Sequence, residues 1–113
     1  MADAPLWNAH RAIVAPAKVR DYLLTNEAGK GAGKPGFFLA FAFTRERWDV
    51  LADALRDHAQ RHPAAFVGAT PYGDKYEVRG PLITPDGRNP AVRSVWQYDT
   101  GSDAPRLLSA YPA

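Results

Sequence analysis

Lys75-Tyr-Glu-Val-Arg-Gly-Pro-Leu-Ile-Thr-Pro-Asp-Gly-Arg-Asn-Pro-Ala-Val-Arg-Ser-Val-Trp-Gln97 is the stretch that decides the second half of the chain. Tyr76, Val78, Gly80 and Leu82 alternate with Lys75, Glu77, Arg79 and Pro81, the period of two that marks a strand with one apolar face. Thr84-Pro-Asp-Gly-Arg88 then fits a three-residue hairpin loop, a type I turn with Gly87 in the left-handed position. If Thr84 closes against Arg88, Leu82 opposes Pro90, Gly80 opposes Val92, Val78 opposes Ser94 and Tyr76 opposes Trp96. The other face then sets Arg79 directly across from Arg93, with Glu77 beside Val95 and Lys75 beside Gln97. Arg106 to Tyr111 supplies a further alternating strand, with Ser109 and Tyr111 on one face.

Upstream of Pro63 the apolar period is 3.6 rather than 2. Pro16 suits a first helical turn, and Val19, Tyr22 and Leu23 continue it, so a first helix is expected over about 16–25. Pro35 starts a second, short helix that buries Phe37, Phe38 and Phe41. Thr44 is expected to cap a third, with Trp48, Leu51, Leu55 and Ala59 as its apolar stripe and Pro63 as its end. The first fourteen residues read as an arm packed down by Leu6, Trp7, Ile13 and Val14. The expected fold is therefore α+β, with three N-terminal helices packed on a twisted antiparallel sheet of three to four C-terminal strands.

Composition bounds the function. A chain of 113 residues with 46% hydrophobic and 23% charged residues is expected to be one globular domain spanning 1–113. It has no cysteine, which excludes disulfides and thiolate chemistry. The longest apolar run, Phe37 to Phe43, is too short to cross a bilayer, and the first residues lack a leader pattern; the expected location is the cytoplasm, its own or that of a target cell. The formal charge of +2 rests mostly on guanidinium, a good phosphate ligand.

Two arginines facing each other across a ladder repel unless an anion lies between them. Either Arg79 and Arg93 hold a phosphate with Lys75 nearby, or Glu77 or a loop aspartate neutralises them, or the register is shifted by one. Gly29-Lys-Gly-Ala-Gly-Lys34 lacks the spacing of a phosphate loop, yet Lys30 and Lys34 before a helix make an anion-tolerant corner. His58 and His62 stand four apart on the third helix and could form a metal edge, but no third ligand is evident, and cationic histidines near a helix C-terminus are a sufficient explanation. His10, in the arm, is a candidate general base. No metal and no cofactor is expected.

Val19-Arg-Asp-Tyr-Leu-Leu24, Phe37-Phe38 to Phe43, Trp48 to Leu55, Tyr72-Gly-Asp-Lys-Tyr76, Gly80, Pro85-Asp-Gly-Arg88, Val95-Trp96, Pro105-Arg106 and Ala110-Tyr-Pro112 carry a resemblance. Over nearly its whole length the chain resembles a bacterial family of about 110 residues whose function is undefined. That family is similar in layout to the barnase, EndoU, colicin and RelE group of small ribonuclease toxins. The resemblance implies metal-independent cleavage of RNA, tRNA included, by a basic sheet face, with an immunity or antitoxin protein as partner. It implies catalytic roles for Lys34, Lys75, Arg79 and Tyr111, with Ser109 where that group often has threonine. His10, or a lysine or tyrosine, would deprotonate the ribose, and Arg93, Lys30 and Trp96 would bind substrate. A non-catalytic protein-binding module of adaptor or immunity type and a small phosphate-ester binder are the rival readings.

Overall fold

The computed structural model describes residues 4–25 and 36–113. Among these residues there is one α-helix, α1 (Trp48–Arg61), followed by four strands, β1 (Ala64–Thr70), β2 (Gly73–Pro81), β3 (Ala91–Asp99) and β4 (Arg106–Pro112). The strands form one antiparallel sheet in the order β1-β2-β3-β4, a meander in which every neighbour in sequence is a neighbour in space.

The three N-terminal helices are corrected to one helix in the middle of the chain. The expected first helix is a six-residue π-helical turn, Lys18–Leu23, closed by Leu24 N–H on the Val19 carbonyl at 2.9 Å. That widened turn sinks Val19, Leu23 and Leu24 together, and tertiary burial rather than helical propensity sets its shape. The expected second helix is a single 3-10 turn, Leu39–Phe41, that stops at Ala42 in the left-handed region (φ 74°). Aromatic side chains lose rotamer freedom on a helix, and here the run packs ring against ring, Phe38 edge-on to both Phe37 and Phe43, with Phe38 and Phe43 buried. The third becomes α1, starting at Trp48, because Thr44 Oγ1 accepts from Arg47 N–H (3.2 Å) in the turn before it. Pro63 separates α1 from β1.

β1 is the strand the alternation did not reveal. A bulge between Phe66 and Gly68 interrupts its period of two, and as an edge strand it buries little: Phe66 and Val67 are exposed. The β2–β3 register is the expected one, Tyr76 opposite Trp96, Val78 opposite Ser94 and Arg79 opposite Arg93. The connecting turn is broader than three residues. Gly87 is left-handed (φ 78°) as its position demands, but Asn89 joins it (φ 49°) and accepts from Thr84 N–H through Oδ1 at 2.9 Å.

The core lies between α1 and one face of the sheet, here the inner face. Leu51, Leu55 and Ala59 meet Val78, Val92, Trp96, Leu107 and Ala110, and the arm closes the rest with Leu6, Ala9, Ala12 and Val14. Trp7 and Ile13, expected to pack down, are exposed instead; Ile13 spends its backbone bridging to β4. His58 is fully buried in the helix stripe. Its Nε2 is 2.9 Å from the Gly80 carbonyl, which can only accept, so Nε2 carries the proton and Nδ1 accepts from Ser94 Oγ–H at 2.9 Å. Ser94 Oγ in turn accepts from Trp96 Nε1–H at 2.8 Å. The chain Trp96 to Ser94 to His58 to Gly80 satisfies every polar group it buries.

Candidate functional site

The outer face, opposite α1, is built by the odd-numbered residues of β2 and β3. Register places three rows across it: Arg79, Arg93 and Tyr111; Glu77, Val95 and Ser109; Lys75, Gln97 and Arg106. Rows on one face are about 7 Å apart and neighbouring strands about 5 Å, so the first two rows fall within the span of one nucleotide.

Glu77 sits between the two arginines. Its Oε1 accepts from Arg79 Nε at 2.9 Å, and its Oε2 lies 3.9 Å from Arg93 Nη1. This relieves the cross-strand repulsion, and leaves two cations on one carboxylate. Every arginine of the chain is ion-paired, mostly with a carboxylate of its own; among the described residues only Glu77 and Asp21 serve two. The Arg79 side chain is 60% exposed, so its pairing is weak and exchangeable. Arg93 lies over the Tyr111 ring, 4.9 Å from its centroid. Two buried polar atoms without a hydrogen-bond partner among the described residues, Arg93 Nε and Ser109 Oγ, are both on this face. A buried donor left unpaired is costly, and both of these lie in the two rows that carry Arg79, Arg93 and Glu77.

The third row continues the face toward the β1–β2 turn. Arg106 makes a two-pronged pair with Asp99 (2.8 and 3.0 Å), which Gln97 also contacts at 2.7 Å. Arg106 first, then Gln97, hold the Asp99 carboxyl down to about 2. With the exposed ring of Tyr72 they line an open cleft of about 560 Å³.

Lys75, Arg79, Arg93, Ser109 and Tyr111 are thus brought together. His10 is not: it lies in a 3-10 turn of the arm, whose buried residues belong to the core on the inner face. Trp96 is fully buried on the inner face with its indole N–H used by Ser94, so it offers nothing to a surface ligand. Lys30 and Lys34 lie outside the described residues. His58 and His62 do not form a metal edge: His62 Nε2 contacts the Pro81 carbonyl at 2.9 Å and both His58 nitrogens are engaged. Among the described residues no group of three or more His, Asp or Glu is arranged to hold a metal, and no helix is long and apolar enough to cross a membrane. The residue whose role the sequence understated is Glu77. Its position two before Arg79, and therefore on the same face one row from Arg93, was the available signal.

The profile of the family described as a domain of unknown function (DUF6883) matches residues 5–113, and the chain belongs to that family. No curated protein and no solved structure matches it.

Proposed function

We propose, for this member of the DUF6883 family, that the outer sheet face binds an RNA phosphodiester and cleaves it without a metal, as a small toxin-like endoribonuclease. The observation that carries the reading is the pairing of Arg79 and Arg93 on the single carboxylate of Glu77. A phosphate can take that carboxylate's place between the guanidiniums and leave Glu77 beside the bound ribose, free to act as a base.

The chemistry then follows from the three rows. Glu77 takes the proton of the ribose 2′-hydroxyl. The 2′-oxygen bonds to phosphorus, the bond to the 5′-oxygen breaks, and the Tyr111 hydroxyl protonates the leaving oxygen. Arg79 and Arg93 stabilise the charge on the non-bridging oxygens, with Lys75 as a further point charge. The products are a 2′,3′-cyclic phosphate and a 5′-hydroxyl. A cognate immunity or antitoxin protein would cover this face with carboxylates of its own.

Incubation of the purified chain with total RNA and a tRNA pool in EDTA tests the reading. Discrete fragments are expected from the parent, and a rate lower by about 100-fold from Arg79→Ala and Arg93→Ala variants of unchanged circular dichroism. Intact RNA with folded parent, or variants that cut equally fast, would overturn it.

A further inference from the structure

The inner face holds a second feature that the RNA reading does not use. Beyond the end of the sheet covered by α1, the arm crosses Tyr76 and Tyr98 and leaves a pocket of about 330 Å³, bordered by Trp7, Tyr76, Tyr98, Asp74 and Ser102. That is the size of a small-molecule site. We infer that this pocket binds an organic ammonium cation, either free or carried on an alkylated lysine side chain.

Three observations converge on that chemistry. The first is the arrangement of rings. Tyr76 and Tyr98 meet at 87° with centroids 5.6 Å apart, making a corner, and Trp7 stands 6.4 Å from Tyr98 at 33°. Aromatic faces set at angles around a cavity present their negative quadrupoles to whatever fills it. The Tyr98 hydroxyl donates to the Trp7 carbonyl at 2.5 Å, so the arm and the sheet are tied and the walls are preformed.

The second is charge. Among the described residues that border the pocket, Asp74 alone is charged. Every other described aspartate is ion-paired with an arginine, whereas Asp74 has neither an ion pair nor a hydrogen bond through its carboxylate among the described residues. In a chain of net charge +2 this is a place of opposite sign, left uncompensated at the mouth of an aromatic pocket.

The third is exposure. Trp7 is 65% exposed although it is the largest side chain of an arm that otherwise packs down, and Phe66 at 58% stacks edge-on against Tyr76 beside the pocket. The ligand's chemistry is narrowed further by what is absent from the lining. A hard inorganic cation needs six or more oxygens, and one carboxylate with three rings does not provide them. Alkylammonium groups, weakly hydrated and large, suit such a lining.

Titration of the ¹⁵N-labelled chain with choline, following the Trp7 indole resonance, tests this against 3,3-dimethyl-1-butanol, the neutral isostere. Saturable binding of choline at least about tenfold tighter than the isostere is expected, weakened about tenfold or more by Trp7→Ala and by Asp74→Asn. Trp7→Phe should retain part of the affinity, which separates loss of the ring from loss of the fold. Free trimethyllysine and a peptide carrying it distinguish the two sources: the tighter binder is the source. Equal binding of the neutral isostere, or no saturable shift with any of the cations up to about 100 mM, overturns the inference. Neither result bears on the RNA-cleavage assay, because the pocket and the arginine rows are on opposite faces.

Discussion

Replacing His58 with leucine removes a buried side chain of similar bulk and takes away only its two polar contacts. The Gly80 carbonyl then has lost the Nε2–H donor and the Ser94 hydroxyl the Nδ1 acceptor, both at 2.9 Å, the first at a part-buried site and the second at a buried one. An unsatisfied buried group costs about 1–3 kcal/mol and a part-buried one less, so the variant should lose roughly 2–4 kcal/mol, a large part of the stability of a chain this size. Ser94→Ala orphans Trp96 Nε1–H and His58 Nδ1 instead and should cost roughly 2–4 kcal/mol. The double variant removes both members of the central bond, so it should cost about 1–3 kcal/mol less than the two singles together. Urea unfolding at low temperature, with the slope compared across all four proteins, measures each term. Additive costs within about 0.5 kcal/mol, or a His58→Leu protein as stable as the parent, would refute the network.

The same histidine sets a pH dependence. Burial pushes the His58 pKa below its usual value near 6.5, so the unfolded chain takes up the proton first and stability falls as pH drops through that value. Unfolding midpoints should decline from about pH 7 to pH 5 in the parent and decline less in His58→Leu, and a parallel decline would contradict this. Asp99 acts in a lower window: its carboxyl is held down to about 2, so its contribution is present above about pH 4 and fades toward 2, and Arg106→Gln should remove the larger part of that portion of the acid transition, leaving the part due to Gln97. Gly80→Ala would bring its Cβ to 2.6 Å from the His62 ring, and a loss of roughly 1–3 kcal/mol is expected by thermal melt. RNA affinity should fall with salt, and Arg93→Ala should make the logarithmic slope shallower by about 0.7, as for one phosphate contact on a single strand.

The sheet was legible where one face had to be buried. Alternation from Lys75 to Leu82 and the turn at Pro85-Asp-Gly87 fixed strand pairing and put Arg79 opposite Arg93, because a slip of one residue would have turned Val78 and Trp96 to solvent. β1 was not legible, since its bulge at Val67 breaks the alternation that identifies a strand. The N-terminal segments misled because apolar spacing at 3,4 intervals says which residues are buried, not how long the helix is. Val19 and Leu23 do bury, but in one widened turn, and Phe38 and Phe43 bury from either side of a left-handed Ala42. His58 was misread for a related reason. Its position in the stripe of Leu51, Leu55 and Ala59 marks a core residue, and the partners that make a buried imidazole tolerable, Ser94 and Gly80, come from strands far along the chain. The arginine rows were readable from register alone, while the exclusion of His10 and Trp96 from that face needed the packing of the arm and the helix.

The central claim, that Glu77 and the two arginines form a base and an anion site for RNA, is tested most directly on one oligoribonucleotide that the protein cuts. Its 2′-deoxy counterpart at the cleaved position and the Glu77→Gln variant are assayed beside it under single turnover in EDTA. The account predicts a 2′,3′-cyclic phosphate product from the parent, no cleavage of the deoxy oligonucleotide, and a rate about 100-fold or more lower for Glu77→Gln with phosphate affinity retained. Cleavage that proceeds without the 2′-hydroxyl, or at the parent rate in Glu77→Gln, would contradict it.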